Sequence, residues 1–295
     1  MDAIREVKFL QELRHPNIIR LETVFSSKDQ NMNLVLEFLP LGDLEMLIKD
    51  TENIRYGVAD IKAWMAMLCR AVWWCHTNFV LHRDIKPNNL LIAADGEVKL
   101  ADFGLARSFA DPYAPMTHQV ITRWYRPPEL FYKARYYSGV VDVWSCGCVL
   151  AELILRTPYL PGDSDIDQID RICKALGTPT EENWPGVSKL EAYVAPAANN
   201  IIPFRRMDFL GLFGTIGEVG VDLLRSMLML DPRKRSTAKG VLTHEWWVTG
   251  ERPTKKEDLP RKGGGEKKMG EDLRRRGGEL GDKVAKKLDF GASKR

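Results

Sequence analysis

The feature that most restricts the fold is the stretch from Leu81 to Arg107, LHRDIKPNNLLIAADGEVKLADFGLAR. Inside it the apolar runs Leu90-Leu91-Ile92-Ala93 and Val98-Lys99-Leu100-Ala101 flank Ala94-Asp95-Gly96. Asp-Gly between alternating apolar residues is a strong hairpin signal, because the glycine tolerates the backbone conformation such turns need. A hairpin there brings Asp84, Asn89 and Asp102 to one edge, although 18 positions separate the outer two.

A general base beside two oxygen ligands suited to Mg²⁺ is the set that phosphoryl transfer requires. The rest of the chain reads as support for that edge. At 295 residues it has material for two lobes and a large core, and 44% hydrophobic with 28% charged residues is a globular composition. The net charge of +3 hides an asymmetry, since 15 of the 43 Lys/Arg but 9 of the 40 Asp/Glu fall from Thr249 onward. The body is therefore slightly acidic and the end basic. With Gly263-Gly264-Gly265, Arg274-Arg275-Arg276 and few apolar anchors, the end is expected to be a disordered tail. It has almost no aromatics for base stacking, so direct sequence-specific nucleic-acid binding is not expected.

Five cysteines without regular spacing give no disulfide framework. Cys146 and Cys148 lie two apart in a predicted helix, on different faces, and cannot jointly clamp a metal. No signal peptide is expected, and no apolar run approaches the ~20 residues of a membrane span.

Helical spacing covers Asp2–Leu13, stopped by His15-Pro16-Asn17, and Leu21–Phe25 and Asn33–Phe38 read as strands. A short helix is predicted from Asp43 to Lys49 and an amphipathic one over Ile61–Thr77. Ser108–Gln119 is aperiodic and reads as a long functional loop. Gly139–Ile154 is apolar nearly all round, hence a buried helix. Two or three helices follow between Ile166 and Leu230, then a last one over Ser236–Thr243 with Ser236 as N-cap.

The runs HRDIKPNN, DFG and RWYRPPEL, in this order around a hairpin and ahead of a buried helix bearing Asp142 and Trp144, resemble the protein-kinase family over residues 2 to about 248. The resemblance implies an α+β, bilobal fold: a truncated small β lobe at 1–39, a mainly helical large lobe at 40–248, and the basic tail at 249–295. It implies ATP and Mg as cofactors. Asp84 would accept or orient the substrate hydroxyl proton, Lys86 would neutralise charge on the transferred phosphate, and Thr122 joins them in the catalytic set. Asn89 and Asp102 would hold Mg²⁺. Leu36 would be gatekeeper, Glu37 and Leu39 the hinge along the adenine edge, and Leu91 the pocket floor; plain core packing suits these apolar residues equally. Glu6, Glu129, Asp142 and Arg235 fall at structural positions of the family.

Ala3-Ile4-Arg5-Glu6 resembles the helix of cyclin-dependent kinases that a cyclin grips. Arg5, Arg83 and Arg107 match the three arginines that clamp a phosphothreonine there, with Thr117 at the phosphosite. A mitogen-activated kinase shares Arg123-Trp124-Tyr125-Arg126 but would carry Thr-x-Tyr where Thr117-His118-Gln119 stand. Arg126 matches the residue that satisfies a strained carbonyl near Val120-Ile121, a geometry favouring proline after the phosphoacceptor. LQELRHPNII, DLEMLIKD, THQVITRWYRPPEL, LPGDSDIDQIDRI, LGTPTEENWP and KKLDF resemble the fungal CDK-activating kinases. That implies a nuclear kinase of general transcription factor IIH, acting with an H-type cyclin and a RING-finger assembly factor. Its substrates would be RNA polymerase II C-terminal repeats and the activation loops of other cyclin-dependent kinases.

The family's Gly-rich loop and lysine-bearing strand, whose lysine pairs with the helix glutamate (here Glu6), are not in this sequence. Two expectations follow. One is a kinase whose N-terminal segment lies outside the sequence given; the other is a truncated, catalytically inactive kinase-like subunit that binds cyclin.

Overall fold

The computed structural model describes residues 2–27, 32–111 and 115–261, with side chains from Glu6 onward. Its small lobe consists of helix α1 (Asp2–Glu12) and strands β1 (Leu21–Ser26) and β2 (Met32–Leu36). The apolar stripe of α1 buries Phe9 and Leu10, and Leu13 follows them into the core. The helix stops at the predicted turn, where Asn17 takes over. Its backbone N–H donates to His15 Nδ1 at 3.0 Å, and its buried amide donates to the carbonyl of Val98 at 3.0 Å. β1 and β2 pair antiparallel, Leu21 opposite Leu36, with an irregularity between Leu21 and Thr23. Two strands alone are marginal, so this lobe depends on α1 and on the large lobe beneath it.

The large lobe begins with α2 (Leu44–Lys49), capped by Asp43, whose carboxylate accepts from the N–H of Met46 at 2.8 Å. Helix α3 (Val58–Thr77) starts three residues before the predicted Ile61, because the Asp60 carboxylate accepts from the N–H of Gly57 at 2.9 Å and captures an extra turn. Four short strands follow: β3 (Val80–Leu81), β4 (Leu90–Ile92), β5 (Val98–Leu100) and β6 (Arg107–Ser108). After α4 (Pro128–Phe131) comes α5 (Val140–Leu155), where every side chain from Val141 to Leu153 is buried, as its uniform apolarity predicts. Helices α6 (Asp165–Leu176), α7 (Arg206–Phe213), α8 (Gly217–Met227) and α9 (Ala238–Leu242) complete the lobe. The expected N-cap of the last helix is corrected: Thr237 Oγ1 accepts from the N–H of Gly240 at 3.1 Å, while the Ser236 hydroxyl donates to Ser226 Oγ at 3.0 Å. Adjacent hydroxyls compete for a cap, and the partner on Ser226 decides between them.

The β4–β5 hairpin forms in the expected register, Leu90 opposite Leu100, Leu91 opposite Lys99 and Ile92 opposite Val98. Its turn closes with Ala93 and Glu97 joined at 2.9 Å and Gly96 at φ +88°. Residues Thr249–Arg261 pack across the back of this turn as a strap, where a solvated tail was expected. Buried Lys62 donates to the carbonyls of Thr249 and Glu251, Thr254 bonds Ala59 and Asp60, and Leu259 enters the core. Lys256 reaches Asp95 at 2.6 Å, and Arg261 donates to the carbonyls of Ala94 and Asp95. The remainder of the expected tail, 262–295, lies outside the described residues.

A Cβ on Gly96 would stand 2.0 Å from the carbonyl oxygen of Lys256, in a backbone conformation that disfavours side chains. Gly96→Ala is expected to cost at least about 1 kcal/mol and to lift the strap. Limited proteolysis between Thr249 and Arg261 reads this directly; unchanged cleavage rates would show that the strap does not bear on the turn.

Four of the five cysteines are buried and Cys173 is half-buried, all as free thiols. Among the described residues no His/Cys/Asp/Glu group of three or more could hold a metal, and no helix is long and apolar enough to cross a membrane.

Candidate active site

The ends of the Leu81–Arg107 stretch are tied together. β3 pairs antiparallel with β6, Leu81 opposite Arg107, which sequence reading missed because two-residue strands carry no periodicity. Between these ends the chain is organised by Asp142 at the start of α5. This fully buried carboxylate accepts from the backbone N–H of His82 at 3.0 Å, the N–H of Arg83 at 2.9 Å and His76 Nε2 at 2.9 Å. Burial alone would push the Asp142 carboxyl up; the His76 bond and the other donors reverse this and hold it below the ordinary 3.8. Arg83 sits at φ +63°, a strained conformation for a side-chain-bearing residue, and the bond to Asp142 stabilises it there. His82 bonds the carbonyl of Ala101 through Nε2 at 3.0 Å and accepts from the N–H of Asp84 at 3.2 Å through Nδ1. These partners select the neutral ring protonated on Nε2, and burial lowers its pKa in the same direction.

Asp84 emerges from this scaffold with its side chain 8% exposed. Lys86 Nζ donates to its Oδ2 at 2.7 Å, and the Thr122 hydroxyl donates to its Oδ1 at 2.8 Å. Lys86 also donates to Thr122 Oγ1 at 3.0 Å, closing a triangle of the three residues expected in the catalytic set. Burial pushes the Asp84 carboxyl up, but the bonds from Lys86 and Thr122 outweigh it and leave the group below its ordinary value. It is therefore an ionised acceptor at neutral pH.

Asn89 belongs to the same cluster. Its amide nitrogen donates to the Asp84 carbonyl at 2.8 Å and to Oδ2 at 3.1 Å, which turns the amide oxygen the other way. The carbonyl of Asn89 accepts from Ala101 at 2.9 Å, so the hairpin base places Asn89 beside the residue preceding Asp102. Asp102 adopts φ +63°, and its Oδ1 accepts from the N–H of Gly104 at 3.3 Å. A Cβ on Gly104 would lie 3.2 Å from Asp102 Oδ1 and 3.8 Å from Glu6 Oε2, so both carboxylates border this turn. An amide oxygen and a carboxylate held at adjoining positions are hard donors of the kind Mg²⁺ takes.

Three of the four adenine-side expectations lie along the connection from β2 to α2, and the fourth, Leu91, adjoins it from β4. Leu36 ends β2, and Leu39 packs on the core with partial exposure. The segment continues beside β4, with Leu41 donating to the carbonyl of Ile92 at 3.2 Å and Leu91 bridged to Asp43. The Glu37 carboxylate pairs with Lys99 at 2.8 Å and accepts from the N–H of Arg20 at 2.7 Å.

The segment from Pro115 to Arg126 faces the loop from His82 to Asn89. Arg83 Nη1 stands 3.5 Å from the exposed hydroxyl of Thr117 and donates to the Tyr137 hydroxyl at 3.1 Å. Arg107 is nearby but donates to the carbonyl of Pro115 at 3.0 Å. Arg5 lies outside the residues whose side chains are described. Ile121 takes φ +70°, and Arg126 donates to the carbonyls of Val120 at 2.9 Å and Ile121 at 3.0 Å, the geometry expected from the sequence. Below this segment Glu129 and Arg235 form a two-bond fork at 2.7 and 2.9 Å, almost wholly buried. His76 and Tyr137 had no sequence signal, since neither belongs to a short motif.

The Protein kinase domain family matches residues 1–247. The chain is 51% identical over 277 residues to serine/threonine-protein kinase crk1 of Schizosaccharomyces pombe, covering 93% of this chain and 81% of that protein. It is 45% identical over 258 residues to cyclin-dependent kinase 7 of Dictyostelium discoideum, covering 88% and 69% respectively. Among solved structures, a chain of the CAK complex from Chaetomium thermophilum bound to ATP-gamma-S superposes with a TM-score of 0.85 at 67% identity, covering 89% of this chain and 81% of that one.

Proposed function

The chain belongs to the protein kinase family, as a cyclin-dependent serine/threonine kinase, and from that premise we propose that it transfers phosphate from ATP to serine or threonine followed by proline. The observation that carries this reading is the hydrogen-bonded set Asp84, Lys86, Thr122 and Asn89 beside Asp102.

In this proposal the ionised Asp84 accepts the hydrogen bond of the substrate hydroxyl and orients it for in-line attack. Lys86, already within reach of both Asp84 and Thr122, offsets negative charge on the transferred phosphate. Thr122 fixes the carboxylate plane through Oδ1. Asn89 and Asp102 would hold Mg²⁺, which supplies charge neutralisation at the ATP phosphates. Leu36, Glu37, Leu39 and Leu91 would border the adenine. Arg126 occupies the carbonyls of Val120 and Ile121, so the backbone there offers a poor acceptor to an incoming N–H. Proline, which has none, loses nothing at that position.

The similarity to the CAK-complex chain supports a cyclin as partner; an H-type cyclin, a RING-finger factor, transcription factor IIH and a nuclear location are proposed from the family resemblance of the sequence. Polymerase II repeats and kinase activation loops are the proposed substrates. Residues 1–39, 40–248 and the basic segment 249–295, whose first part (249–261) is the strap, are the proposed units, and phosphorylated Thr117 would recruit Arg83, Arg107 and Arg5.

The test is phosphate transfer by the cyclin-bound chain to a heptad-repeat peptide. Replacing the proline after the target serine with alanine is expected to lower the rate roughly tenfold, by one lost backbone match. Cyclin binding without any transfer would instead favour an inactive kinase-like subunit.

A further inference from the structure

Tyr137 lies outside every motif named above, in the connection from α4 to α5, with its ring half-buried. Its hydroxyl stands between two groups of the proposed phosphothreonine clamp, Arg83 and Thr117. Arg83 Nη1 donates to it at 3.1 Å, and it donates to the carbonyl of Thr117 at 2.7 Å. A cationic donor on a phenol oxygen makes its O–H a better donor, so the two bonds reinforce each other. Burial pushes the Tyr137 pKa up against the opposing pull of Arg83, so the hydroxyl keeps its proton.

The Thr117 hydroxyl, at 3.5 Å from the same Nη1, lies beyond a good hydrogen bond. The activation segment is therefore joined to Arg83 through the tyrosine and the Thr117 backbone, not through the Thr117 side chain. Arg83 continues the connection inward: Nε donates to the carbonyl of Leu105 at 2.8 Å, just after the Asp102-Phe103-Gly104 turn, and its backbone adjoins Asp84. On the other side, the N–H of Met116 donates to the carbonyl of Arg135 at 2.8 Å, holding the segment against the loop that carries Tyr137.

We propose that Tyr137 is a positioning residue that holds the activation segment against Arg83 while Thr117 carries no phosphate, and so sets the kinase activity of that state. A phosphate dianion on Thr117 is the stronger acceptor for the guanidinium, so the phenol matters less once it is present. The proposal rests on the kinase reading above.

Tyr137→Phe keeps the ring and removes both bonds. In the full chain with its cyclin partner and Thr117→Ala, which retains the backbone carbonyl, it is expected to lower peptide phosphorylation roughly tenfold. In enzyme phosphorylated on Thr117 the loss should stay under about threefold, and the KM for ATP should not move in either state. Equal losses in the two states, or none with Thr117→Ala, overturn the proposal. Hydrogen exchange supplies a readout independent of activity. In the unphosphorylated full chain, Tyr137→Phe is expected to speed exchange at residues 116–121 roughly tenfold while α5 stays protected. Unchanged exchange there overturns the proposal even if the chain transfers no phosphate, so its failure is told apart from that of the kinase reading.

Discussion

Asp84→Asn is expected to cut phosphate transfer on the order of 10³-fold while leaving the fold intact. The geometry shows why both halves hold. Lys86 and Asn89 donate to Oδ2, whereas Oδ1 accepts from the Thr122 hydroxyl at 2.8 Å, a group that accepts as readily as it donates, and from the Thr122 N–H at a long 3.4 Å. An asparagine turns its oxygen toward Lys86 and Asn89 and its nitrogen toward Thr122 Oγ1, so the short bonds are remade and only the long one from the Thr122 N–H is lost. What disappears is the negative charge proposed to orient the substrate hydroxyl. Nucleotide affinity should be unchanged, whereas Asp102→Asn should nearly abolish transfer by weakening Mg²⁺ binding. Full activity in either variant would remove that residue from the site. Because the Asp84 carboxyl lies below its ordinary 3.8, the stability it contributes is fully present above that value and is lost only as the pH falls below it. Activity lost between pH 5 and 6 must then come from another group.

The second large effect is on stability. Arg235→Ala is expected to destabilise the protein by roughly 3–5 kcal/mol, because it strands the Glu129 carboxylate without its partner in the interior. Arg235 also donates to the carbonyls of Met229 at 3.0 Å and Val140 at 3.1 Å and lies over the Trp144 ring, so several buried acceptors are orphaned together. Lysine cannot reproduce the fork, and Arg235→Lys should recover only part of the loss. Since a domain of ordinary stability has 5–15 kcal/mol in all, the alanine variant should show a much lower urea midpoint. A shift worth under 1 kcal/mol would mean that water reaches Glu129.

The elements read well from sequence are those whose signal is local. Asp95-Gly96 announces the hairpin, the apolar run of α5 announces its burial, and Pro16 ends α1 where expected. The bonding of Arg126 to Val120 and Ile121 was legible through family resemblance, not through spacing. What stayed hidden depends on distant partners. β3 and β6 are too short for any pattern, and their pairing follows from Asp142 fixing the loop between them. The strap reads as polar, with Leu259 its one core anchor, and its clue lay elsewhere: Lys62 falls on the inner face of α3, where an ammonium needs carbonyls to meet it. The Tyr137 bonds depend on the placement of the loop before α5, which no residue pattern specifies.

The strap also has a temporal consequence. Lys256 and Asp95 meet across 161 residues of sequence, and a ribosome emits the chain from the other end. The β4–β5 turn is thus synthesised early and covered late, after the whole helical lobe has left the exit tunnel. Contacts of such sequence separation close slowly. A nascent chain stalled before Lys256 therefore presents Ala94-Asp95-Gly96 without this cover, and one that has passed it and docked the strap does not. The exposure of that turn thus follows the chain's progress past Lys256.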